Sequence, residues 1–259
     1  MSIPALYSGL TSVTFRKMSP TEIIAHAAHA HLDGIEWGGD VHVPPGDGAT
    51  AQRIAKQTRD AGLKIPSYGS YYRLGVSPKE ESDKVLASAA ELGAGIVRVW
   101  AGNTGSAQAT TESRAKIIDD ARALTEKAAS GGLRIACEWH GGTLTDTLES
   151  ARHLLNAVDH PAFGTYWQPR NGQSVESRLL DLKAIAPHLM GLHVFQWGVK
   201  GERQPLFAGD TVWEPCLSQV AKADLPPLFA HLEFVPNDDP KQMHDDAAAL
   251  RHWIKTSTT

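Results

Sequence analysis

Eight short apolar runs punctuate the chain, each followed by a longer stretch whose apolar residues recur at helical spacing. The runs are Leu6–Thr11, Gly34–Trp37, Ile65–Tyr68, Ile96–Trp100, Arg134–Glu138, Phe163–Gln168, Gly191–Phe195 and Phe229–Phe234. Most lack a long polar face, as strands of a parallel sheet covered by helices should. Between them, Ser19-Pro20-Thr21-Glu22 and Ser77-Pro78-Lys79-Glu80 each offer a capping serine, a proline at the first helical position and a glutamate three residues after the cap. Ile117, Ile118, Ala121, Leu124 and Ala128 form one stripe of a helix. Gly62 and Gly131 stand where left-handed helix stops are useful. Eight strand-then-helix units predict an α/β chain closed into a (β/α)8 barrel. An open doubly wound sheet is the alternative, and no Gly-x-Gly-x-x-Gly turn follows the first run to support it.

Length agrees with this reading, since 259 residues is close to the ~250 of a single barrel. No Pro-, Gly- or Ser-rich linker divides the chain, so residues 1–259 are expected to form one domain. With 25 Lys+Arg against 29 Asp+Glu, the net charge of −4 speaks against a nucleic-acid surface. Cys137 and Cys216 are the only cysteines, and no disulfide framework is implied. The first residues, Met1 to Leu6, lack a basic segment followed by an apolar run, and no stretch approaches a membrane span. A cytoplasmic protein is expected, with no membrane partner and with homo-oligomerisation left open.

Chemistry in a parallel barrel gathers at the C-terminal strand ends. Here the last four runs carry Glu138, Gln168, His193 and Glu233 at or near those ends, and side-chain alternation points all four inward. Two carboxylates converging in an apolar mouth repel each other. A divalent cation removes that penalty, and an imidazole and an amide oxygen complete its ligands. Read one at a time, a strand-end glutamate also suits a salt bridge and an inward histidine a hydrogen-bonded core position. His231, deeper on its strand, is expected to be such a core residue. His26, His29 and His31 are expected on a solvated helix surface.

At these residues the chain resembles the xylose isomerase-like TIM barrel superfamily, in its sugar phosphate isomerase/epimerase branch. Leu32-Asp33-Gly34-Ile35-Glu36-Trp37, Ala61-Gly62-Leu63-Lys64-Ile65, Leu92-Gly93-Ala94 with Val97-Arg98-Val99, and Cys137-Glu138-Trp139-His140 carry the likeness, followed by His193 and Glu233. The resemblance implies a divalent metal (Mn2+, Mg2+, Co2+ or Zn2+) on Glu138, His193 and Glu233. Gln168-Pro169-Arg170-Asn171 stands where the family has Asp-x-x-His, and His193-Val194-Phe195-Gln196 where it has His-x-x-Asp. Gln168 is therefore the departing fourth ligand.

The implied activity is isomerisation or epimerisation of a small sugar or keto-sugar, with Glu138 and Glu233 exchanging an α-proton across a metal-stabilised enediolate. Expected substrate contacts are Glu36, His140, Trp100 and Arg203. Glu36 equally suits a salt bridge in the mouth, and Arg203 equally suits an exposed loop. Trp37, Tyr68, Tyr71, Trp100, Trp139, Trp167 and Trp197 are candidates for an aromatic wall. The same site would serve a lyase expelling a β-substituent from a keto-sugar or inosose-like compound. A non-catalytic sugar-binding barrel is a third reading. The family's endonuclease branch needs more His and Asp ligands and a basic groove, and neither is evident.

Overall fold

The structure is a computed structural model that describes residues 6–257; the leader reading of Met1–Ala5 lies outside them. Eight parallel strands close into a barrel: β1 Leu6–Thr11, β2 Gly34–Gly38, β3 Ser67–Arg73, β4 Ile96–Trp100, β5 Arg134–Glu138, β6 Phe163–Trp167, β7 Leu189–Val194 and β8 Leu228–Leu232. Each pairs with its sequence neighbour, and β8 closes onto β1 through Leu10 opposite Leu232. The helices are α1 Pro20–His29, α2 Gly48–Asp60, α3 Lys79–Leu92, α4 Thr111–Ser130, α5 Leu148–Val158, α6 Val175–Ile185, α7 Asp210–Ala221 and α8 Pro240–Ser257. After β7 the chain makes a small antiparallel hairpin, Gln196–Trp197 with Arg203–Gln204. No helix among the described residues is long and apolar enough to cross a membrane.

The capping reading holds at α1, where Ser19 Oγ accepts from Glu22 N while Glu22 accepts from Ser19 N at 2.8 Å. It fails at α3. That helix begins at Lys79 without a side-chain cap, and Ser77 Oγ instead accepts the backbone N–H of Arg73 at 3.0 Å. The left-handed stop expected at Gly131 falls one residue later, at Gly132 with φ 75°. Gly62, with φ 78°, is such a stop.

Most of the core lies between strands and helices. Trp37, Trp167 and Trp213 are fully buried there, beside Ile54, Val85 and Trp139. A second, small apolar cluster of Ile96, Ala136, Tyr166 and Met190 fills part of the barrel interior. Above it the inward positions turn polar, as inward columns along the strands show. On β3, Ser67 bonds Glu36, Gly69 underlies Arg98, and Tyr71 and Arg73 approach Trp100, while Tyr72 points outward to Asp120 on α4. A Cβ on Gly69 would stand 2.7 Å from an Arg98 guanidinium nitrogen, so this strand has room for the arginine only because it carries no side chain there.

The segment after the hairpin is tied down by Asp246 of α8, whose buried Oδ1 accepts from Leu206 N and from Gln242 Nε2, both at 2.8 Å. Burial pushes this carboxyl above the usual carboxylate range, against the lowering effect of those bonds. An acid whose folded pKa is raised contributes stability that is full below its ordinary value, 3.8, and is lost as pH rises through the folded value. Asp246→Asn keeps an acceptor with no charge to bury. Its Tm is expected above wild type at pH 7, with the gap narrowing as the pH falls toward 3.8; a pH-independent gap contradicts the assignment. Asp246→Ala strands the buried Leu206 N–H and should cost about 1–3 kcal/mol in denaturant unfolding.

Candidate metal centre

Arg98, half-way along β4, sits inside the barrel and is almost wholly buried. Its Nε donates to Glu36 Oε1 at 3.0 Å and its Nη1 donates to Glu138 Oε2, so one guanidinium joins β2 to β5 across the interior. Burial works against the charges of Glu36 and Arg98. The attraction within the group outweighs it, holding Glu36 below the usual carboxylate range and Arg98 above its ordinary value. Ser67 Oγ adds a bond to Glu36 Oε2 at 2.7 Å. Glu36 therefore stands in the salt bridge that its strand position allowed, at 1% exposure.

Glu36 also sets the chemistry of His193. His193 Nε2 lies 3.3 Å from Glu36 Oε1 and donates its proton there. In the neutral ring the other nitrogen, Nδ1, then carries the lone pair, since the bond one nitrogen makes determines the tautomer. Nδ1 faces Glu233 Oε2 at 3.5 Å and Glu138 Oε1 at 3.8 Å. Three acceptors thus meet in a space closed to water, an arrangement that repels unless a proton or a cation lies among them. Burial lowers the basicity of His193, but Glu233 and Glu36 outweigh it and raise its pKa. Burial pushes Glu233 up to about 7, opposed by His193 and reinforced by Glu138.

Glu138, His193 and Glu233 are buried and offer ligand atoms within 4.8 Å of one another. Gln168 joins them from the end of β6. Its Nε2 donates to Trp139 O at 2.8 Å and to Glu138 Oε1 at 3.2 Å, which orients the amide and leaves Oε1 without a partner. Gln168 Oε1, His193 Nδ1 and Glu233 Oε2 are all buried acceptors lacking a hydrogen bond. Buried polar atoms rarely stay unsatisfied, and a divalent cation satisfies all three kinds of donor. The residues fit a metal.

Other expected contacts divide. Trp100 and His140 stack at the mouth, ring centroids 4.3 Å apart. Arg203 is bound to the loop after β8: Nη1 donates to Val235 O at 3.3 Å, pairs with Asp238, and the guanidinium covers the Phe234 ring at 5.2 Å. Of the aromatic wall, Tyr71 and Trp100 reach the mouth on inward columns, and Trp197 packs there against Phe195 and Phe234. Trp37, Tyr68, Trp139 and Trp167 do not. Each neighbours an inward residue and so points outward, Trp37 to Thr58 of α2 and Tyr68 to Val43 O.

His231 is buried as expected, yet stacked on Phe229 and Tyr166 with neither ring nitrogen hydrogen-bonded, and burial pushes its pKa down to about 4. His26 and His29 face His244 of α8, with 3.3 Å between His26 Nδ1 and His244 Nε2. A cleft of about 690 Å³ between α3 and α4 lies outside the barrel, away from this chemistry.

A sequence profile described as xylose isomerase-like TIM barrel matches residues 24–256. The chain belongs to this family. A 3-dehydroshikimate dehydratase of Bacillus anthracis is 29% identical over 257 residues, spanning 87% of this chain and 89% of that protein. Among solved structures, the probable 3-DHS dehydratase AsbF of Bacillus anthracis superposes with a TM-score of 0.79 at 23% identity, covering 95% of this chain and 98% of its own. A D-psicose 3-epimerase superposes at 0.72 with 13% identity, covering 97% and 99%. At these identities the two structures establish the barrel alone. Relatives within this fold thus include both a dehydratase and an epimerase by name.

Arg98 carries part of the family resemblance in the sequence but has no role assigned there. Its signal was a charge inside the apolar run Ile96-Val97-Arg98-Val99 at an inward position. Replacing it with Met leaves Glu36 and Glu138 buried without a counter-charge. Urea unfolding should show Arg98→Met destabilised by about 3–5 kcal/mol, with part recovered by adding Glu36→Gln. A single variant as stable as wild type would remove Arg98 from this role.

Proposed function

We propose that this protein is a metal-dependent lyase that eliminates water from a small β-hydroxy ketone, with Glu233 as the single acid–base group. The observation that carries the reading is the unequal state of the two glutamates. Both oxygens of Glu138 are engaged, one by Arg98 and the other by Gln168, whereas Glu233 Oε2 has no hydrogen-bond partner. A two-base epimerase needs two carboxylates free to exchange protons, and Glu138 is held out of that role. The 29% identical dehydratase supports elimination and makes 3-dehydroshikimate the first substrate to test.

Glu138, Gln168, His193 and Glu233 would hold the cation, Glu233 through one carboxylate oxygen only, so that its other oxygen is left to move a proton. When bound, the cation supplies Lewis-acid polarisation of the substrate carbonyl, which acidifies the neighbouring C–H. Glu233 takes that proton as the C–H electrons form the new C=C bond. The β C–O bond breaks, and Glu233 returns the same proton to the departing hydroxyl, so that water leaves and the carboxylate is restored. Glu36 has no proton-transfer role; it accepts a hydrogen bond from His193 Nε2–H and so keeps Nδ1 free. Arg98 fixes the Glu138 carboxylate. The barrel wall excludes bulk water, which strengthens each of these interactions.

Isomerisation by proton abstraction shares the first step, and the two outcomes are separable. With 3-dehydroshikimate and Mn2+, loss of one water and enolisation of the ring give an aromatic product with strong ultraviolet absorption. Wild type should generate it, and Glu233→Gln should lower kcat at least about 10³-fold while keeping the wild-type circular dichroism. Solvent deuterium entering a keto-sugar without loss of water would replace elimination with isomerisation. Near-normal turnover by Glu233→Gln would remove Glu233 from the mechanism.

A further inference from the structure

The inward columns that carry the acidic cluster continue upward by one more layer. Two residues beyond Arg98 on β4 stands Trp100, two beyond Glu138 stands His140, and two beyond Tyr71 on β3 stands Arg73. β3 and β4 bring Arg73 opposite Trp100 after a register shift that begins at Gly69. The Arg73 guanidinium lies over the Trp100 ring with 3.9 Å between Cζ and the ring centroid. His140 stacks on the same indole at 4.3 Å with 25° between planes, and Tyr71 approaches it at 6.0 Å. Arg73 is also fixed at its backbone, where its N–H is held by Ser77 Oγ.

This arrangement holds a cation with one long hydrogen bond to the protein and its other guanidinium donors unused. Contact with the indole occupies the face of the guanidinium, whereas its N–H groups lie in the plane and point from its edge. Of those donors, one reaches Gly102 O at 3.4 Å. Among the described residues, no Asp or Glu forms an ion pair with Arg73. By contrast Arg16, Arg98, Arg170 and Arg203, which lie in the barrel or on the loops at its C-terminal end, are each paired with a carboxylate. The indole N–H of Trp100 is a further buried donor with no acceptor. Donors without acceptors, on a rigid aromatic base one layer above the candidate metal centre, match the fork geometry of a carboxylate.

We propose that Arg73, seated on Trp100 beside His140, is an anion subsite that selects substrates carrying a carboxylate. The assignment rests on the dehydratase reading of the centre below it, and it makes Arg73 a specificity residue with no part in proton transfer. The carboxylate anchors on the edge of the guanidinium, which turns the remainder of a small ring toward Glu233. Neutral keto-sugars of the same size lack this anchor.

Two measurements test the subsite, each on Mn2+-loaded protein. In the first, isothermal titration compares 3,4-dihydroxybenzoate with 3,4-dihydroxybenzamide, which keeps shape and hydroxyls but loses the charge. Wild type should prefer the acid by about 10- to 100-fold, the span of a charge-assisted hydrogen bond. Arg73→Met, which keeps the length and the contact with Trp100, should bring that preference close to one, and Arg73→Lys should restore part of it. In the second, kcat/KM for 3-dehydroshikimate is compared with that for its methyl ester. The wild-type preference for the acid should fall in Arg73→Met through KM, with kcat for the acid little changed. Equal losses on acid and ester, or an acid preference that survives Arg73→Met in the titration, overturn the subsite. Arg73-dependent binding of the acid without turnover of 3-dehydroshikimate would sink the dehydratase reading and leave the subsite standing.

Discussion

The buried bridge from Glu36 through Arg98 to Glu138 is the constraint on which the centre of this barrel depends. A guanidinium inside a protein is costly unless its charge and donors are matched, and here carboxylates from β2 and β5 match it. The consequence passes on to His193. Because Glu36 accepts the Nε2 proton, the Nδ1 lone pair is left facing Glu138 and Glu233. A structural ion pair and a candidate metal ligand are thereby one connected network. Gly69 belongs to it as well, since any larger residue would occupy the space of the arginine.

That network divides the two glutamates into unequal parts. Glu138 is fixed from both sides, a state suited to holding a cation in place. Glu233 enters from the end of β8 with an oxygen that no side chain or backbone group holds, a state suited to moving a proton. The residue after it, Phe234, takes a positive φ of 60°, and so do Asn237 and Asp238 at 56° and 52°. Arg203 bridges this turn through Val235 O and Asp238. Its contribution is to brace the strained loop that follows Glu233.

Much of this is legible in the sequence, for a physical reason. The period of two along a strand and the convergence of strand ends are properties of local sequence, so Glu138, Gln168, His193 and Glu233 could be placed together from their positions alone. Partner choice is different. Arg98 finds Glu36 and Glu138 across 62 and 40 residues of chain, and no local pattern encodes which carboxylate a buried arginine will meet. The aromatic residues divide on parity: Trp37 and Trp139 each adjoin an inward glutamate and are turned outward into the helical layer. Ser77 shows how tertiary demand overrides a local motif. Its hydroxyl, placed to cap α3, serves the backbone of Arg73 instead.

Glu138, Gln168, His193 and Glu233 are proposed to form one divalent-cation site. Titration calorimetry of chelator-treated protein with Mn2+ and Zn2+ addresses it directly. One equivalent of bound ion is expected in wild type, with loss of that binding in His193→Ala and tighter binding in Gln168→Asp, which adds a negative ligand. Absence of stoichiometric binding, or binding unaltered by His193→Ala, would contradict the proposed site.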